Sequence, residues 1–388
     1  MKKALNGLMV AVFFAVLLAA MGYALQSPVR KNLYENRRAV QIPVFSLPSA
    51  ADGSFQEDLE SSLHDQLPGS MVLEQTYQSA LNGPVLQAVF AQSHANPNTY
   101  YQFNDLMLYH GSIVYAPVYP DDCRDELNAR VNNINAVINA HPELSFYAFY
   151  IEKDTDMDFE TGTDTGIAEL LRDQLSLPKF RFAVHPVESY EHFRSNFYRT
   201  DHHWNRFGSY AGYQHVLQLL GKTAPLKPTG TQHLSDRFCG AKAITSGARA
   251  FFSEPFDVFT FDFPPMEVYI NGVGPVDYGR QSQSWDWKEF GDPNYGSYYG
   301  FDDGEVWFRT QQTGAGNVLL LGESFDNAIL KLLAGHFENL YAVDLRAYEA
   351  DTGTPFSFSE YVAARGIDTV LFIGNIDFYR MEAFNVEG

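Results

Sequence analysis

The chain has 388 residues, 45% of them hydrophobic, enough to bury one large core or two smaller ones. Its formal net charge is −20, which repels a phosphate backbone and argues against nucleic-acid binding. The same charge disfavours wide contact with anionic lipid headgroups unless an inserted helix overrides it.

Lys2 and Lys3 precede an apolar run from Ala4 to Leu25 in which Asn6 is the clearly polar residue. A cleavable export signal has a shorter apolar region, whereas a membrane-spanning helix needs about 20 residues. The run matches the longer figure, so residues 1–25 read as a signal anchor with the lysines inside. Gly22 and Ala24 keep open the alternative of a signal peptide cut after Ala24. Either way the rest of the chain lies outside the cytoplasm, as a single-pass cell-membrane protein or a secreted one.

Residues 26–40 are polar and basic, a juxtamembrane linker, and from residue 41 to 388 the composition is globular. Phe55, Leu59, Leu63 and Leu67 recur every fourth residue and predict a helix ended by Pro68-Gly69. A short strand is expected at Ser112–Tyr115, a helix at Arg124–Asn139 and a strand at Leu144–Ile151. A further helix is expected at Asp164–Leu175 and a strand at Phe180–Val184. Residues 222–310 are rich in Gly, Pro, Tyr and Trp and read as a loop-rich or β-rich insertion over the site. Its stretch from Arg280 to Gly300 carries Trp285, Trp287, Phe290, Tyr295, Tyr298 and Tyr299. Then comes a β-α-β-α-β run: strand Asn317–Leu321, helix Phe325–His336, strand Asn339–Leu345, helix Phe358–Arg365 and strand Thr369–Ile373. Alternation of this kind predicts an α/β fold with a parallel sheet between helices.

The aromatic content of 15% is mostly ordinary core, although exposed Tyr and Trp clusters also suit stacking on sugar rings. Cys123 and Cys239 lack zinc-ligand spacing. They either form one disulfide or stay as two buried thiols.

Three segments carry chemistry. In Leu321-Gly322-Glu323-Ser324-Phe325-Asp326-Asn327 a buried strand runs through Gly-x-Ser straight into a helix. This places Ser324 at the C-terminal edge of the sheet, beside helix N-terminal amides that can stabilise an oxyanion. Gly322 permits the tight turn. Alone, Ser324 reads more readily as a helix N-cap. In Asp201-His202-His203-Trp204 an extended segment puts Asp201 and His203 on one face. Asp201 can then hold one ring nitrogen of His203 while the other takes the serine proton; the alternatives are a metal site or a solvated turn. At Ile373-Gly374-Asn375 a strand ends in an amide that either contributes to an oxyanion hole or forms a plain turn.

The strand–Gly-x-Ser-Phe–helix unit resembles the nucleophile block of SGNH (GDSL-type) hydrolases. The Asp-His-His-Trp string, placed before the serine, resembles the DHHW family and its alginate O-acetyltransferase relatives. Glu35-Asn36-Arg37, His64-Asp65-Gln66-Leu67-Pro68 and Leu340-Tyr341-Ala342-Val343-Asp344-Leu345-Arg346 also resemble that family's motifs, in its order. The resemblance departs at Glu323, where relatives more often carry Asp or a small polar residue, and at Gly69-Ser70, where they tend to have Arg. It implies a circularly permuted, flavodoxin-like SGNH fold over 41–388. Ser324 would be the nucleophile, His203 the base and Asp201 its partner, with Gly322, Asn375, Asn327 and Arg346 as oxyanion or substrate candidates. It implies O-acyl transfer to an extracellular polysaccharide, with a membrane-bound O-acyltransferase (MBOAT) partner delivering the acyl group. An esterase with the same triad and a non-catalytic glycan-binding factor are the competing expectations. No cofactor or metal is implied.

Overall fold

The computed structural model describes residues 37–66, 69–103, 106–279 and 293–386, with residues 31–32 and scattered positions between 12 and 23. Most of the expected anchor, Glu35-Asn36, Leu67-Pro68 and the aromatic residues Trp285, Trp287 and Phe290 fall outside them. No helix among the described residues is long and apolar enough to cross a membrane.

Two compact units are present: residues 1–87 with 244–251, and residues 88–243 with 252–388. In the first, helix α1 (Leu47–Asp52) is capped by the Ser46 side chain, which accepts from Ser49 N at 3.2 Å. It ends at Gly53, whose φ of 89° a side chain would resist. Helix α2 (Ser54–Gln66) follows, near the expected range. Its last residues pin the segment before α1: Val40 N donates to Asp65 Oδ2 at 2.7 Å, and Gln66 Nε2 to Val40 O at 2.9 Å. The helical periodicity did not foretell α3 (Ser70–Ala95), 26 residues that continue through Gly83-Pro84. Pro84 removes one helical N–H, and the mixed apolar and small residues around it hide the period.

The second unit is built on a seven-stranded sheet. Its strands in chain order are β1 (Ser145–Ile151), β2 (Phe182–His185), β3 (Met266–Ile270), β4 (Glu305–Thr310), β5 (Asn317–Leu321), β6 (Asn339–Val343) and β7 (Thr369–Gly374). The spatial order is β3-β4-β6-β5-β7-β1-β2. Strands β6, β5, β7, β1 and β2 pair in parallel, and β4 and β3 are added antiparallel. Residues 222–310 therefore supply these two strands at one side of the sheet as well as the antiparallel pair Gly230–Phe238 and Glu254–Thr260.

Strand side chains alternate between two cores, as the two-residue period requires. Val318, Leu320, Phe149, Ile151, Leu371 and Ile373 face one core with helices α7 (Arg206–Leu219) and α9 (Asn327–Ala334). Leu319, Leu321, Ala148, Tyr150, Val370 and Phe372 face the other, with α4 (Arg124–Ala140) and α11 (Phe358–Arg365). Fully burying each such Leu, Ile or Phe stabilises the fold by about 2 kcal/mol. Helix α5 (Ile167–Gln174) lies between β1 and β2 in sequence, α6 (Tyr190–Asn196) precedes the Asp-His-His-Trp segment, and α10 (Leu345–Thr352) follows β6. The α8 turn (Tyr295–Tyr299) precedes β4. Cys123 and Cys239 are both free thiols.

Candidate functional site

Parallel strands leave the ends of β5, β7, β6 and β1 on one edge, where the chain turns into Gly322-Glu323-Ser324, Asn375, Asp344 and Glu152-Lys153 respectively. Ser324 precedes α9 by three residues, and Asp326 occupies the N-cap position. The serine hydroxyl points instead at His203, with Oγ 2.8 Å from Nε2.

Asp201 Oδ1 accepts from His203 Nδ1 at 2.6 Å and from His203 N at 2.9 Å. Its Oδ2 accepts from Ala241 N at 2.8 Å. An ionised carboxylate only accepts, so Nδ1 carries the ring proton and Nε2 is left as an acceptor for the Ser324 hydroxyl. Burial alone would raise the Asp201 pKa, but the facing His203 and His202 hold it below the ordinary carboxylate range.

The loop carrying this pair is clamped from the Glu254 strand. Glu254 Oε1 accepts from Thr200 N at 2.7 Å and Thr200 Oγ1 at 2.8 Å, while Oε2 accepts from Arg199 N at 3.0 Å. Gly240 is required beside it, because a Cβ there would overlap the Asp201 side chain. Trp204 is fully buried and donates through Nε1 to Tyr295 Oη at 3.2 Å. Tyr295 Oη in turn donates to Phe325 O at 3.3 Å. Its ring stacks on His203 at 3.8 Å between centroids and 8° between planes. The His202 ring lies 3.9 Å from that of His203, so the imidazole sits between two rings. Neither Glu254 nor Tyr295 is singled out by the sequence as part of the site. Their partners lie 54 and 91 residues away, and only the aromatic richness of 280–300 hinted at Tyr295.

The serine side is acidic. Glu323 Oε1 accepts from Asn375 N at 2.7 Å. Burial raises the Glu323 pKa to about 7 even against that bond. Burial and then Asp344, Asp302 and Glu323 push Asp326 well above the carboxylate range. Asp302, Asp303, Glu323, Asp326 and Asp344 line one small pocket here.

Of the further sequence candidates, Gly322 makes the turn, donating to Val343 O at 3.3 Å. A Cβ at that position would overlap the Asp326 carboxyl. Asn375 is tied by its backbone to Glu323, and its Oδ1 accepts from Asp377 N at 2.8 Å. Among the described residues its Nδ2 has no acceptor, nor do the Ser324 and Phe325 N–H groups, so these donors are open to an oxyanion. Asn327 is committed elsewhere: its Oδ1 accepts from Tyr278 Oη at 3.1 Å and its Nδ2 donates to Asp302 at 2.9 Å. Arg346 is likewise held by Asp344 and by Asp302, the latter at 2.9 Å.

Asp201, His202 and His203 bring ligating atoms within 4.8 Å of one another. Both Asp201 oxygens and both His203 nitrogens are committed to the bonds above, so a metal there would have to break the chain to Ser324.

Solved structures share this fold at low identity. Bacillus cereus PatB1 with a sulfonyl adduct is 17% identical over 73% of this chain and 100% of that one, with a TM-score of 0.52. A DHHW family protein from Eubacterium siraeum is 14% identical over 74% of this chain and 95% of that one, at 0.50. No curated protein matches the sequence. The family model described as DHHW protein matches residues 107–343, a span that takes in the Asp-His-His-Trp loop, the serine turn and six of the seven sheet strands in full. The chain belongs to the DHHW protein family.

Proposed function

We propose that the chain is an extracytoplasmic serine O-acyltransferase, acting through Ser324, His203 and Asp201. The observation that carries this reading is the unbroken chain from Asp201 Oδ1 through both ring nitrogens of His203 to Ser324 Oγ, with links of 2.6 and 2.8 Å. A serine hydroxyl is a poor nucleophile until a base removes its proton, and this geometry provides the base and fixes its tautomer.

In the first half-reaction Ser324 Oγ attacks the donor's acyl carbon as its proton passes to His203 Nε2. The oxyanion takes hydrogen bonds from the open donors of Ser324, Phe325 and Asn375. Collapse breaks the bond to the leaving group, which takes the proton from Nε2 and leaves an acyl-serine. In the second half-reaction a sugar hydroxyl gives its proton to Nε2 and attacks that ester. Collapse of the second tetrahedral intermediate breaks the bond from Ser324 Oγ to the acyl carbon, releases the acylated sugar, and returns the proton from Nε2 to Oγ.

The family resemblance implies acetyl as the acyl group, a cell-surface polysaccharide as acceptor and an MBOAT protein as the acyl supplier. The apolar N-terminal run is consistent with membrane attachment beside such a partner. The sulfonyl adduct on PatB1 fits a nucleophile within this fold.

The test is acyl-enzyme formation by the full chain in detergent, with an activated acetyl ester, for wild type, Ser324→Ala and His203→Ala. A burst of leaving group lost in both variants, with acetyl mapped to Ser324, is expected. Adding oligosaccharide then separates transfer from hydrolysis. Equal bursts from three folded proteins would remove the triad.

A further inference from the structure

From Gln66 to Asn104 the only Asp, Glu, Lys or Arg is Glu74, in a chain whose net charge is −20. Helix α3 occupies most of that stretch. Its outward face carries Leu73, Tyr77, Leu81 and Val85, 71%, 62%, 55% and 56% exposed. These residues recur every fourth position and so form one stripe along the helix. Thr76, Ala80, Pro84 and Ala88, all exposed, flank it and add no charge. The opposite face buries Gly83, Leu86 and Ser93. This stripe, apolar except where Glu74 falls in register seven residues before Leu81, lies open to water on an otherwise acidic protein and marks a surface that is covered in use.

We propose that this face of α3 rests in the interface of a lipid bilayer, driven by apolar burial and without attraction to anionic headgroups. The occupant follows from where the chain leads. The apolar run ends at Leu25, and the first described strand of the same unit starts at Lys31. The intervening residues span at most about 20 Å when extended, which keeps this unit at the membrane that the run reaches. Exposed Val44, Phe45 and Leu47 belong to the same unit. With no Lys or Arg between residues 66 and 104, the surface lacks the basic rim of helices that seek anionic lipid. Tyr77, an apolar ring with a polar tip, suits the headgroup boundary. Helix α3 is not apolar enough to span a bilayer, so it lies along the surface. This inference is independent of the acyl chemistry at Ser324.

The test uses the full chain with Cys239→Ser, so that the buried Cys123 is the remaining native thiol. A nitroxide is attached at Tyr77→Cys, Leu81→Cys or, as a water-facing control on α11, Ala364→Cys, and the protein is reconstituted in phosphatidylcholine vesicles. Collision of the label with dissolved oxygen and with a water-soluble nickel chelate then reports depth. Oxygen collision should dominate at 77 and 81, with nickel collision several-fold below that at 364 and the same at low and high salt. Free nickel collision at 77 and 81 would overturn the proposal by placing the face in water. Shielding from both reagents would also overturn it, since that is the mark of a second copy or another part of the chain on the stripe.

Discussion

The Asp201 carboxylate accepts three hydrogen bonds, whereas the carboxyl of Asp326, two residues beyond Ser324, accepts none among the described residues. The contrast extends outward. On the histidine side, Glu254 meets three donors of the Asp201 loop. On the serine side, Glu323, Asp302, Asp344 and Asp326 crowd together, with Arg346 bonded to Asp344 and Asp302. Paired carboxylates stay ionised and hold geometry across the working pH range, while crowded and buried ones gain from a proton. The histidine side is thus kept rigid, and the surroundings of Ser324 respond to acidity.

The largest expected effects fall where the two sides meet. Ser324→Ala and His203→Ala should each lower single-turnover acyl transfer by roughly 10⁴-fold, without additivity in the double variant. Additive losses would mean that the two residues do not act as one unit. Asp201→Asn keeps the loop but favours the wrong ring tautomer, and should cost about 10³-fold in kcat with little change in KM.

Glu254→Ala strips the acceptor from three loop donors and should destabilise the protein by about 4 kcal/mol in urea unfolding. A loss as small as that of a surface substitution would put the rigidity of the histidine side elsewhere. On the serine side the sign is set by Glu323, whose pKa rises from 4.5 to about 7 on folding. Its contribution to stability is full below pH 4.5 and is lost as pH rises through about 7, an effect of about 3 kcal/mol. Glu323→Gln keeps the acceptor for Asn375 N–H and should flatten that decline in unfolding midpoints. An unchanged slope would assign the titration to Asp326. The smallest effect belongs to Tyr295→Phe, which keeps the ring on His203 but drops both hydroxyl bonds, for about 1 kcal/mol by thermal unfolding.

The parallel strands of the second unit were legible because runs such as Val318–Leu321 and Val370–Ile373 are buried on both faces and bounded by turns, whereas β3 and β4 were hidden in the Gly-, Pro- and aromatic-rich stretch 222–310. That Ser324, Asp201 and His203 come together was legible because the chemistry they suggest needs few residue types in local strings. Glu254, Tyr295 and Asp326 were not: each acts through partners that only folding brings near, and none breaks a local rule. Helix α3 escaped for another reason. Its apolar residues face water as well as core, so no single period separates inside from outside. Asn327 and Arg346 sit in family-like motifs, yet their side chains serve the acidic network around Asp302.

Confinement of His203 between His202 and Tyr295 has a consequence for proton traffic. An imidazole flanked at under 4 Å on both faces has no room to turn over and exchange its nitrogens. The nitrogen that receives the serine's proton is therefore the one that must hand it on. In the proposed mechanism, release to the departing group and capture from the incoming alcohol then share a single port, and whichever molecule stands beside Ser324 at that moment inherits the proton.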